Sequence, residues 1–116
     1  MLDRPIDNKQ AKQEVLLVYC NVPDKELANS LAKQLVAGRH AACVNISSGV
    51  QSIYIWDGQV CSDEEISLVI KTTRRKYAEL EKVVLEVHPH EVPELIAIPI
   101  ETGSHKYLEW VEGSIK

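Results

Sequence analysis

Gln51-Ser52-Ile53-Tyr54-Ile55-Trp56-Asp57-Gly58-Gln59-Val60-Cys61 sets β-branched and aromatic residues on both sides of an Asp-Gly pair. Asp-Gly tolerates the positive φ angles of a two-residue hairpin turn, whose twist matches that of the strands it joins. The segment therefore predicts that Gln59 to Cys61 folds back on Ile53 to Trp56, and that the sheet is antiparallel here. Outward from this turn, Ala42 to Ser47 reads as one strand and Gln51 to Trp56 as the next, separated by the turn-forming Ser47-Ser48-Gly49. After an acidic turn at Asp63-Glu64-Glu65, Ile66 to Thr72 reads as a further strand. The span from Val50 to Thr72 is expected to form a long twisted hairpin.

On either side of this arm lies a strand and helix pair. Val15 to Asn21 is a short apolar run bounded by Pro23. Asp24 can cap a helix with the apolar stripe Leu27, Ala28, Leu31, Ala32, Leu35 and Val36, which stops at Gly38. From Arg75, Tyr77, Leu80, Val83, Val84 and Val87 recur at helical spacing until Pro89, which cannot continue a helix. Leu95 to Ile100 reads as a strand, and Thr102-Gly103-Ser104 introduces a last helix from His105 to about Ser114.

The order is βαββαβ plus a C-terminal helix, an α+β class that fits the ferredoxin-like sandwich with both main helices on one face. Alternate side chains of Val15, Leu17, Tyr19, Leu68 and Ile70 must face away from those helices. Cover from a second copy of the chain is the simplest solution, so a homo-oligomer is expected. Residues 1 to 13 are polar and aperiodic and read as a flexible N-terminal tail, with residues 14 to 116 as a single domain.

Composition excludes several classes of function. The 116-residue, 13.0 kDa chain carries a formal charge of −4, which disfavours binding to a phosphate backbone. No stretch approaches the roughly 18 apolar residues of a membrane span, and the N-terminus lacks an apolar targeting core. Cys20, Cys43 and Cys61 are odd in number and form no C-x-x-C pair. Together these features read as a cytoplasmic chain with neither nucleic acid nor membrane as partner and no organic cofactor. A nucleophile elbow, a phosphate-binding Walker loop and an H-E-x-x-H pair are also absent from the sequence, so no enzymatic role is expected.

Candidate chemistry concentrates in His88-Pro89-His90-Glu91-Val92-Pro93-Glu94. The prolines bias His88 and Val92 toward extended backbone, which places His88 and His90 on one side, roughly 7 Å apart. Such a pair can hold a metal, and Cys20 adds a soft thiolate donor compatible with copper or zinc. Equally, a strand cysteine can be a small buried hydrophobe, and a histidine at a helix C-terminus is favoured by the helix dipole. A second candidate is a cleft between subunits. Lys71 and Glu94 can pair there if their strands are neighbours, and Tyr54, Trp56, Tyr107 and Trp110 supply apolar walls with polar tips.

Three stretches together resemble the CutA family, named for divalent-cation tolerance. They are Ala41-Ala42-Cys43-Val44-Asn45-Ile46, Ser52-Ile53-Tyr54-Ile55-Trp56-Asp57-Gly58, and Ile70-Lys71-Thr72 followed by His88-Pro89-His90-Glu91-Val92-Pro93-Glu94-Leu95. Tyr107-Leu108-Glu109-Trp110 also fits, and the likeness runs in order over about residues 15 to 112. The resemblance implies a ferredoxin-like subunit in a tight homotrimer, without a defined catalytic reaction. It also implies that divalent metal ions, copper foremost, are met at Cys20 and His88, positions that match implicated ligands in similar proteins. The family segment usually reads His-Pro-Tyr-Glu, so His90 is a departure that can supply a substitute ligand. Likeness of the trimer to the P-II signalling proteins implies an alternative: a signalling or scaffold trimer that binds a small molecule or protein partner between subunits.

Overall fold

The structure, a computed structural model, describes residues 5–7 and 14–115. Its elements run β1 (Pro5–Asp7), β2 (Val15–Val22), α1 (Lys25–Ala37), β3 (Cys43–Trp56), β4 (Gln59–Thr73), α2 (Arg74–Val87), β5 (Leu95–Pro99), β6 (Thr102–Ser104) and α3 (His105–Ser114). The main sheet has the order β3-β4-β2-β5 with every pair antiparallel, the ferredoxin-like α+β arrangement expected from the element order. β1 pairs with β6 through Pro5 to Ser104 and Asp7 to Thr102. These three positions fall within the stretch read as a flexible N-terminal tail; the remainder of that stretch up to residue 13 lies outside the described residues.

Local chemistry sets the element ends. The Asp24 carboxylate accepts the Leu27 N–H at 2.8 Å and so satisfies an orphan donor at the start of α1. Asp57 and Gly58 take φ angles of 54° and 77°, as the tight hairpin turn requires. At Gly38 a Cβ would meet the His40 ring at 2.8 Å, so a larger residue there would push that ring aside. His88 ends α2 with an extended ψ of 130°, the conformation Pro89 imposes on the residue before it.

Two expected breaks are absent. Ser47-Ser48-Gly49 does not separate two strands: Ser47 pairs with Ser67 and Val50 with Glu65, so Ser48 and Gly49 together oppose Ile66 alone. This is a β-bulge, with Gly49 at φ 82° as the residue that bends β3 without ending it. Asp63-Glu64-Glu65 is likewise no turn but the middle of β4. Its acids are tolerated because the arm is solvated and two of them are used across the ladder. Ser52 Oγ donates to Glu65 Oε1 at 2.5 Å, and the Tyr54 hydroxyl donates to Asp63.

The register decides which side chains are buried. Val18, Cys20 and Val22 on β2 and Ile66, Leu68 and Ile70 on β4 face α1 and α2, and pack with Ala28, Leu31, Leu35, Leu80 and Val84. Each fully buried leucine there contributes roughly 1.5–3 kcal/mol from apolar burial. On the opposite face α3 covers one end, where Leu108 and Val111 pack on Val15. Leu17, Tyr19 and Val69 are only partly covered, and Ile96 and Ile98 remain 55% and 48% exposed.

Candidate metal donors and an acidic aromatic cavity

The end of β2 gathers most of the metal candidates. Cys20 lies between Leu68 and Leu95 in the ladder, so Glu94 is one step away on the incoming chain. His88 folds inward, 8% exposed, and its Nε2 lies 2.8 Å from the Asn21 carbonyl oxygen. Its Nδ1 accepts the His90 N–H at 3.1 Å, so Nε2 carries the proton and donates to Asn21. Both nitrogens are thus committed within the chain. The His90 ring stands 4.9 Å from the His88 ring, tilted by 56°. His90 is exposed, and its imidazole makes no hydrogen bond among the described residues.

Cys20 is similarly closed. It is fully buried, its thiol donates weakly to the Asn21 carbonyl at 3.9 Å, and burial together with the Glu94 and Glu65 carboxylates pushes its pKa up to about 12. A protonated thiol is a poor ligand, because the thiolate is the species that binds metals. The sequence candidates therefore meet in space, but Cys20 and His88 as they stand are part of the packing. Among the described residues no three His, Cys, Asp or Glu side chains converge to hold a metal ion.

The expected cleft set divides in two. Tyr54, Trp56 and Glu94 line a cavity of about 680 Å³ between the outer half of the hairpin arm and the 89–94 segment. Ser52, Ile53, Glu65, Pro89, His90, Glu91 and Val92 complete its wall. Lys71, Tyr107 and Trp110 are not part of it. Lys71 donates to Asn45 beside Cys43, and the Tyr107 and Trp110 rings pair at 5.7 Å on α3. The expected Lys71 to Glu94 pair does not form, because β2 lies between β4 and the β5 end that carries Glu94. Burial and the neighbouring Cys43 raise the Tyr107 pKa.

Sequence reasoning missed Glu65, Glu91 and Ser52 as cavity residues. A usable signal was alternation: Ser52, Tyr54 and Trp56 are two apart along β3 and point to one side. Tyr54 is fixed on that wall by its bond to Asp63, which pushes the phenol pKa up to about 12.

Comparison with known proteins follows the same lines. A family model described as CutA1 divalent ion tolerance protein matches residues 16–114. The divalent-cation tolerance protein CutA of Thermus thermophilus is 46% identical over 85% of this chain and 94% of its own. The chloroplastic protein CutA of Arabidopsis thaliana is 45% identical over 87% of this chain and 56% of its own. Among solved structures, the Thermus thermophilus protein superposes with a TM-score of 0.86 at 42% identity, covering 88% of this chain and 99% of that one. The periplasmic divalent cation tolerance protein CutA from Archaeoglobus fulgidus gives 0.85 at 32% identity, over 88% and 98%. These relatives correct the expectation of a cytoplasmic location, since chloroplastic and periplasmic proteins share the sequence and the fold. An unpaired thiol count and an acidic charge describe the chain's chemistry, not its compartment.

Proposed function

The chain belongs to the CutA1 divalent ion tolerance family, and from that premise we propose that it serves divalent-cation tolerance as a non-catalytic homotrimer that meets the ion through His90 and nearby carboxylates. The observation that carries this reading is the division of labour between the two histidines. His88 spends both nitrogens on Asn21 and on the His90 backbone, which fixes the segment and leaves the His90 imidazole as the exchangeable donor. Glu91 and Glu94 line the same cavity, and because no three such donors converge among the described residues, ion binding has to draw these carboxylates toward His90. Imidazole with carboxylate suits borderline ions such as Cu(II), whereas a copper(I) site would call on Cys20 as thiolate. Copper is accordingly the ion we assign, bound as a ligand that comes and goes.

Titration of Cu(II) into the full chain tests the assignment. His90→Ala is expected to weaken binding about tenfold or more, and Cys20→Ser to leave it within about twofold. Equal affinity of wild type and His90→Ala overturns the role given to His90.

Trimer formation is supported by the sheet face that α3 leaves open, with Ile96 and Ile98 half exposed, and by the arm, where Ile55 and Val60 are 72% and 75% exposed. Apolar surface of this extent favours association over hydration. The cavity supports a second reading, a signalling or scaffold role in which the same protein binds a small molecule, because its volume lies within the range of small-molecule sites.

A further inference from the structure

We propose that the cavity between the arm and the 89–94 segment binds a small organic cation carrying an alkylated or primary ammonium group. This rests on the second reading above and names its ligand class. Glu65, Glu91 and Glu94 bring three carboxylates to the wall, and no lysine or arginine lines it among the described residues. Lys71, the cation on the neighbouring part of β4, is held by Asn45 instead. Anionic ligands are therefore repelled and cationic ones attracted. Among the described residues His90 supplies the one ionisable nitrogen on the wall.

The apolar side of the wall separates an organic cation from a bare metal ion. Tyr54 and Trp56 share one face of β3 and remain 40% and 49% exposed, so their rings are not consumed by packing within the protomer. Ile53, Pro89 and Val92 add apolar surface. A hydrated metal ion gains little from the aromatic and aliphatic part of the wall, whereas an ammonium with carbon substituents gains both from the aromatic faces and from desolvation of its alkyl groups. The polar groups are also partly preset: Ser52 binds Oε1 of Glu65, and Asp63 holds the Tyr54 hydroxyl. A volume of about 680 Å³ admits a molecule far larger than an ion.

Calorimetric titration of the full chain in the presence of a chelator tests this, with choline, putrescine and the neutral isostere of choline in which carbon replaces nitrogen. Saturable binding of choline or putrescine is expected, with the neutral isostere at least tenfold weaker. Trp56→Leu and Glu94→Gln are each expected to weaken the bound amine about three- to thirtyfold, in keeping with loss of a cation–π contact or a carboxylate partner. Circular dichroism of both variants confirms that they are folded. Absence of saturable binding by both amines, or equal binding of the neutral isostere, overturns the proposal. A failure here with Cu(II) binding intact removes the ammonium ligand alone, and leaves the cation-tolerance reading standing.

Discussion

Replacing Ile96 and Ile98 together by aspartate is expected to reduce the solution particle from three times the 13.0 kDa chain mass to the mass of a single chain. Both residues lie on the edge strand β5, opposite Tyr19 and Leu17 in the register, on the face that α1 and α2 do not cover. Within one protomer they are half exposed, so the substitution removes little intramolecular packing. Across an interface the balance differs. Burying each isoleucine stabilises association by roughly 1.5–3 kcal/mol, and an aspartate placed there loses that gain and adds a desolvation penalty of similar or larger size. Two substitutions per subunit then shift the association constant by several orders of magnitude. Sedimentation equilibrium reads the mass, and circular dichroism shows that the protomer fold persists. A variant that keeps the trimeric mass contradicts the use of this face, and a monomeric wild type contradicts the assembly.

His88→Ala is expected to lower the unfolding free energy by about 2–4 kcal/mol, combining two lost hydrogen bonds with the space left by a buried ring. The cost is set by geometry that a terminal histidine alone does not have. Nε2 reaches a carbonyl 67 positions earlier in the chain, tying the end of α2 to the end of β2. Nδ1 holds the first turn of the 89–94 segment through the His90 N–H. Loss of the ring therefore loosens one whole wall of the cavity, and Cu(II) binding is expected to weaken even though the proposed donor is His90. Urea denaturation measures the stability change. Wild-type stability in His88→Ala would show that the ring does not brace the segment.

The fold was legible in the sequence wherever a short-range requirement has few chemical solutions. Asp57-Gly58 accepts two positive φ angles, and Asp24 and Ser104 each offer an oxygen to the first turn of a helix. Pro89 dictates the end of α2. The arm was harder to read, because alternation identifies a strand only when one face is dry. Asp63, Glu64 and Glu65 stand in a ladder with both faces solvated, and there a polar run and a turn look alike. Gly49 carries the same ambiguity, since the glycine of a bulge and the glycine of a loop answer to the same need for positive φ.

At the site, the residue types were legible and their roles were not. Cys20 was recognisable as a strand cysteine near histidines, but its side depends on the ladder partners Leu68 and Leu95, which turn it into the core. The inward turn of His88 depends on a carbonyl supplied by β2. Lys71 and Glu94 were expected to pair, and the strand order separates them. Long-range placement, not local propensity, decided all three.

X-ray absorption at the copper edge of the Cu(II)-loaded full chain tests most directly the claim that the ion is met by His90 and carboxylates, with Cys20 kept as a packed thiol. The account predicts a first shell of nitrogen and oxygen alone, with the outer scattering of imidazole, and loss of that imidazole signal in His90→Ala. A sulfur scatterer in the first shell, abolished by Cys20→Ser, would contradict it.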